Sequence, residues 1–132
     1  MDRSTPLRPT ALVVEDDPDQ RFLVGALLEE TGFVVIECES AEAALGVLEN
    51  VGDRIAIVFS DIRLSGTLDG VDLAQVVKDR FPKTTVIVTS GAPGDRLSHL
   101  PDDAMYMAKP WLAINILTEA ERSLEESARR AR

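Results

Sequence analysis

The sequence predicts one α/β domain, a five-stranded parallel sheet wound in both directions with helices on both faces. Three observations predict it. Short runs, apolar at nearly every position and β-branched in all but the last, recur at 11–14, 33–38, 55–61, 85–89 and 104–108, as strands buried on both faces do. Between them, stretches at 18–31, 41–49, 70–80 and beyond 111 carry apolar residues at helical spacing. The length of 132 residues suits one core and is too short for two domains. Alternating strands and helices of this kind argue for parallel strands joined by right-handed crossovers, which leaves few topologies.

Each element has its own signals. Strand 11–14 runs into Glu15, Asp16 and Asp17; Asp17 can cap a helix, Pro18 suits its first position, and Gln20 sits where a capping box takes an amide. Phe22, Leu23, Ala26 and Leu27 follow at helical period until Thr31 and Gly32 close the run. Ser40 caps the next helix, which turns Ala44, Leu45 and Leu48 inward and ends before Gly52. Strand 55–61 is apolar until Ser60 and Asp61, and after a loop Asp69 caps a helix with Val71, Leu73, Ala74 and Val77 on its inner side, stopped at Phe81-Pro82. Strand 85–89 is followed by residues 90–103, whose two prolines and two glycines leave room for a helical turn or two. Lys109-Pro110 ends strand 104–108. From Trp111 an amphipathic helix runs to about residue 128, with Leu112, Ile116, Leu117, Ala120 and Leu124 inward and Glu119, Glu121, Arg122 and Glu125 outward.

Composition excludes several classes. The formal net charge of −9 argues against a nucleic-acid surface, which needs clustered Lys and Arg. Cys38 is the only cysteine, lies in an apolar run and has no internal partner, so a reducing, cytoplasmic setting is expected. Residues 1–10 are polar with two prolines, unlike a signal peptide, and no apolar run is long enough to span a bilayer, so a soluble protein without membrane contact is expected. Residues 1–9 read as a loose arm, 10–128 as the domain and 129–132 as a tail.

The chemistry gathers at the strand ends. In open α/β sheets, sites lie beyond the carboxyl ends of the strands, where Asp61 falls. A partly desolvated but reachable carboxylate there can ligate a metal or accept a phosphoryl group, although alone it also suits a turn cap. A doubly wound sheet brings Glu15 and Asp16 beside it. Three converging carboxylates repel unless a cation neutralises them, and a site of oxygens without His or Cys suits Mg²⁺. Two further strand ends supply the Thr89 hydroxyl and the Lys109 ammonium, groups able to meet charge on transferring phosphoryl oxygens. Singly these are an acid pair at a helix dipole, a β-branched strand residue and a solvated lysine. Jointly they end four of five strands with the parts of one phosphoryl-transfer site.

The motifs VVEDDPDQR, FSDIRLSGTLDG, VIVTSG and AKP resemble those of response regulator receiver domains of two-component signalling, over about residues 10–124. The resemblance implies a flavodoxin-like fold with strand order 2-1-3-4-5 and a single-domain phosphorylation-activated regulator. It implies that Asp61 is the phosphoacceptor, that Asp16 ligates Mg²⁺ directly and Glu15 largely through water, and that the Arg63 backbone carbonyl is a further ligand. Thr89 then matches the switch hydroxyl, Lys109 the phosphate-pairing lysine and Tyr106 the switch aromatic, with a cis peptide expected between Lys109 and Pro110. The implied donor is a phosphohistidine of a histidine kinase or histidine phosphotransfer protein, and the implied readout a downstream protein partner. Such a domain is a phosphoacceptor rather than an enzyme, though it assists its own phosphotransfer and slow autodephosphorylation.

The chain departs from the family pattern in its loop LSGTLDG, with Ser65 where most members carry proline and one residue more before Asp69-Gly70, and in a shortened fourth helix. With no output segment expected after the last helix, no nucleic-acid binding is expected. His99 reads as a surface residue and Trp111 as a packing residue. A haloacid dehalogenase-type hydrolase would need a second acid where Arg63 stands, and a flavin domain a Ser/Thr-rich loop where the first acids stand. A receiver-like scaffold that binds partners without phosphorylation is the alternative.

Overall fold

The computed structural model describes residues 8–130. Most of the expected arm, residues 1–7, and the last two residues of the expected tail lie outside them. The elements run β1 (Thr10–Val14), α1 (Pro18–Thr31), β2 (Val34–Cys38), α2 (Ala41–Val51), β3 (Ile55–Asp61), α3 (Gly70–Arg80), β4 (Thr85–Ser90), β5 (Met105–Ala108) and α4 (Ala113–Arg130), with 3-10 turns at Gly52–Arg54 and Gly94–His99. All strands are parallel, in the order β2-β1-β3-β4-β5. The expected fold class is therefore the observed one.

Alternation along the strands divides the interior into two cores. Leu12, Val14, Val58, Val86 and Val88 pack under α2 and α3, whereas Ala11, Val13, Ile57, Phe59 and Ile87 pack under α1 and α4. Strand β3 lies between β1 and β4 and is buried at every position, which fixes Asp61 at the centre of the carboxyl edge.

Two helices differ from expectation in phase. α1 buries Val24, Gly25 and Leu28, while Phe22 is 71% and Leu23 50% exposed. Apolar residues occupy two adjoining stripes of this helix, and the buried one brings Gly25 into ordinary contact with Val35 and Glu37 of β2. α4 begins at Ala113 rather than Trp111, because the Asn115 side chain accepts the Leu112 N–H at 2.8 Å and places Leu112 before the helix, 68% exposed. Its inward stripe is Ile116, Ala120 and Ser123, with Leu117 and Leu124 half-buried and Glu119 half-buried rather than outward.

Residues between β4 and β5 make a 3-10 turn, consistent with their prolines and glycines. Polar ties strap this segment to α3: Arg96 to Asp69 and Asp72, Gln75 Nε2 to the His99 carbonyl at 2.7 Å, and Lys78 to Asp103 at 3.2 Å. Among the described residues no helix is long and apolar enough to cross a membrane. Cys38 is buried, and burial pushes its thiol pKa up.

Candidate functional site

Sheet register assembles the site. Val14 pairs with Ser60, so Glu15 emerges beside Asp61, and Asp61 itself pairs with Thr89. Asp61 is 9% exposed; its Oδ1 accepts the Arg63 N–H at 3.3 Å and its Oδ2 accepts the Lys109 ammonium at 3.0 Å. Lys109 reaches in from the end of β5, where its N–H bonds the Ser90 carbonyl and the peptide to Pro110 is cis, as expected. Its ammonium also stands 3.6 Å from Glu15 Oε1 and donates to Gln20 Oε1 at 2.9 Å. The Thr89 hydroxyl is buried and has no hydrogen-bond partner among the described residues, an unusual state for a buried polar group.

Glu15 is held on two sides. Its Oε2 accepts the Asp17 N–H at 3.1 Å, and the Arg21 guanidinium donates to its backbone carbonyl at 2.8 Å. Burial pushes the Glu15 pKa up to about 7, helped by the charge of Asp61 and a hydrogen bond with Asp16, against the Asp17 N–H and Lys109. Asp16 itself is exposed at the mouth of the crevice. Among the described residues no three acids, histidines or cysteines form a ready-made metal cage, and the Lys109 ammonium stands between Glu15 and Asp61. The donor chemistry nonetheless fits a hard cation. A carboxylate driven towards protonation by burial and by a like charge is only partly compensated by the Asp17 N–H and Lys109, and Mg²⁺ needs only one or two carboxylates beside its waters.

Several residues that shape the crevice were not singled out by sequence patterns. A Cβ at Gly70 would overlap the Asp61 carbonyl oxygen and come within 2.9 Å of the Asp61 carbonyl carbon and 3.0 Å of Ile62 Cα, so only glycine lets α3 start against the Asp61 backbone. The longer loop after Asp61 is anchored by Glu42 of α2, whose Oε2 accepts Thr67 N–H and Oγ1 at 3.0 Å each and Leu68 N–H at 3.3 Å. Gly66 makes that turn with φ 103°, a conformation side chains resist. Hydrogen bonds from its own backbone and from Thr67 hold the Glu42 carboxyl below its ordinary range.

Asp69 caps α3 in a reciprocal box with Asp72, and Arg96 closes over both, at 2.8 and 3.1 Å to Asp69 and 3.0 Å to Asp72. Burial alone would raise Asp69, but the hydrogen bonds from Arg96 and Asp72 hold it below its ordinary range. A D-G pair opening a helix was the one signal available for Gly70; for Glu42 and Arg96 there was none. Gln20 is a correction. Its expected capping place is filled, since the Asp17 N–H goes to Glu15, and its amide crosses to Lys109 instead. Tyr106 is half-buried with its hydroxyl donating to the Ser90 carbonyl at 2.8 Å. His99 is exposed, and Trp111 packs edge-on against Phe59 with ring centroids 6.1 Å apart.

A parallel sheet of this order, with acids, a hydroxyl and a lysine at its central carboxyl edge, defines a CheY-like α/β class of domain. The profile of the response regulator receiver domain matches residues 11–121, and the chain belongs to that family of two-component phosphoacceptor signalling domains. The chain is 31% identical over 118 residues to the nitrogen assimilation regulatory protein NtrX of Azorhizobium caulinodans, covering 86% of this chain and 26% of NtrX. It is 33% identical over 122 residues to the C4-dicarboxylate transport transcriptional regulatory protein DctD of Rhizobium meliloti, covering 89% of this chain and 26% of DctD. The chain thus spans about a quarter of these relatives. The crystal structure of the NtrX receiver domain from Brucella abortus superposes with a TM-score of 0.73 at 30% identity, covering 87% of this chain and 98% of that one. A receiver domain from Clostridium thermocellum, at TM-score 0.80 and 22% identity over 91% of this chain and 97% of that one, has the same fold.

Proposed function

We propose that the protein accepts a phosphoryl group on Asp61 from a phosphohistidine of a histidine kinase or histidine phosphotransfer protein, in a Mg²⁺-dependent step, and changes shape to signal to a protein partner. The observation that carries this reading is the Asp61 carboxylate beside the Lys109 ammonium, with the unpartnered Thr89 hydroxyl on the neighbouring strand. An Asp61 oxygen attacks phosphorus, the bond from phosphorus to the imidazole nitrogen breaks with its electron pair left on the ring, and an acyl phosphate remains. Lys109 and Thr89 meet the charge on the phosphoryl oxygens.

Asp16, Glu15 through water, Asp61 and the Arg63 backbone carbonyl would hold Mg²⁺, which when bound neutralises charge between acceptor and donor. The same groups assist slow hydrolysis of the acyl phosphate. The unit that does this is residues 10–128, acting in the cytoplasm. Its donor has an apolar landing strip. Leu23, Gly91, Pro110 and Trp111 line an open cleft of about 490 Å³ with Gln20 and Lys109, and Phe22 of α1, Leu112 just before α4 and Ile114 of α4 are exposed.

The test is transfer of label from a phosphorylated kinase or from acetyl phosphate with Mg²⁺. Label should appear on the wild type and be lost in Asp61→Asn, in Asp16→Ala and on chelation. Label retained by Asp61→Asn would refute the acceptor, and an unlabelled wild type that still binds a partner would favour the phosphorylation-independent scaffold.

A further inference from the structure

We infer that Gln20 is a positioning residue for phosphoryl transfer: its amide oxygen holds the Lys109 ammonium in the crevice while the acceptor carboxylate is freed to react. The inference rests on Asp61 being the phosphoacceptor. An ammonium has three N–H donors. Here one goes to Asp61 Oδ2 at 3.0 Å and one to Gln20 Oε1 at 2.9 Å, while Glu15 Oε1 at 3.6 Å exerts charge without a hydrogen bond. Gln20 is thus the only uncharged acceptor recorded for this group among the described residues.

The local fold releases the Gln20 side chain for this purpose. At the start of α1 its backbone N–H is taken by the Asp17 carboxylate at 3.4 Å, alongside that of Asp19 at 2.9 Å, and the N–H a capping box would offer to its amide is taken by Glu15. The amide therefore spans 89 residues of sequence to reach the end of β5. Both side chains are partly shielded, Lys109 being 24% exposed, and both line the cleft leading to Asp61.

The chemistry needs such an acceptor. While Oδ2 receives a hydrogen bond from Lys109 it is a weaker nucleophile, so the ammonium must slacken its hold on Asp61 and re-form it on the phosphoryl oxygens. A lysine stem is flexible and loses much rotamer freedom when fixed. Without Gln20 the ammonium would be held by the Glu15 and Asp61 carboxylates alone, tightening its hold on the acceptor, or would swing out to water. A neutral amide anchors it without adding negative charge beside a phosphoryl group that carries roughly two. A glutamate in its place would compete with the phosphoryl group for the ammonium and repel it.

The experiment compares Gln20→Leu, which keeps the shape and loses the acceptor, with Gln20→Glu, which keeps the acceptor and adds charge, in wild-type and Lys109→Ala backgrounds. With acetyl phosphate and Mg²⁺, Gln20→Leu should label more slowly by on the order of ten- to a hundredfold, the scale of one hydrogen bond to a charged group, with melting temperature unchanged. Gln20→Glu should label slowly as well but keep the Lys109 side-chain ammonium resonance that Gln20→Leu loses by nitrogen-15 NMR. In the Lys109→Ala background Gln20→Leu should add no further defect. Wild-type labelling by Gln20→Leu, or a defect that persists in full without Lys109, would overturn the inference. A wild type that takes no label would instead sink the phosphoacceptor reading, and an ammonium resonance unmoved by Gln20→Leu would then overturn the positioning contact by itself.

Discussion

Glu15 is the residue whose charge state the crevice opposes most. Burial first, then the charge of Asp61 and the hydrogen bond with Asp16, push its pKa from 4.5 up to about 7. An acid with a raised folded-state pKa binds its proton more tightly in the folded chain. The stability this contributes is therefore full below 4.5 and lost as pH rises through about 7. A cation that needs the ionised form gains affinity over the same window. In metal-free protein the melting temperature should fall between about pH 5 and pH 8, and Mg²⁺ should restore most at the upper end. In Glu15→Gln both pH dependences should flatten; parallel profiles for variant and wild type would assign the titration to another group. The acids themselves were legible from their places at strand ends, because chemistry of that kind is written in residue type. Gln20 was not, because its local pattern already had an explanation and its partner lies 89 residues away.

At the scale of elements, all five strands were legible because strands covered on both faces leave continuous apolar runs. Helix phase was less so: α1 carries apolar residues on two stripes, and their spacing alone does not choose between them. The start of α3 shows how an element's placement serves the site. Gly70 donates its N–H to the Ile62 carbonyl at 2.8 Å and lies against the Asp61 backbone with no room for a methyl group. Gly70→Ala must push α3 and the end of β3 apart, an overpacking that costs about 1–3 kcal/mol. Urea unfolding should show that loss, and labelling of Asp61 should slow because the acceptor carboxylate leaves its register with Thr89 and Lys109. An alanine variant with unchanged unfolding midpoint and labelling rate would mean that the two elements do not constrain each other.

Across the whole molecule these contacts close into a loop of mechanical couplings. Asp61 touches α3 through Gly70; α3 holds the 3-10 segment through Asp69, Asp72 and Arg96; that segment leads back through Ser90 to Thr89, which pairs with Asp61. Tyr106 hangs on the same loop by its bond to the Ser90 carbonyl. Phosphorylation at Asp61, as proposed, would add roughly two negative charges there, and the groups able to answer are the Thr89 hydroxyl, which has no recorded bond to break, and the Lys109 ammonium. On this reading, movement of Thr89 would shift Ser90, and with it both Tyr106 and the strap. The strap packs through few apolar side chains, Leu97 and Leu100 among them, so its polar ties decide how far it follows. Beryllofluoride, standing in for the phosphoryl group, should therefore change hydrogen exchange throughout residues 90–106 and not only around Glu15 and Asp61. Arg96→Met should raise exchange in residues 94–103 before the mimic is added and shrink the change that follows it, because the strap is already loosened from α3. If protection changed at Glu15 and Asp61 alone, with residues 90–106 silent in both proteins, the coupling loop would carry no signal and the domain would serve as a phosphoryl relay or sink.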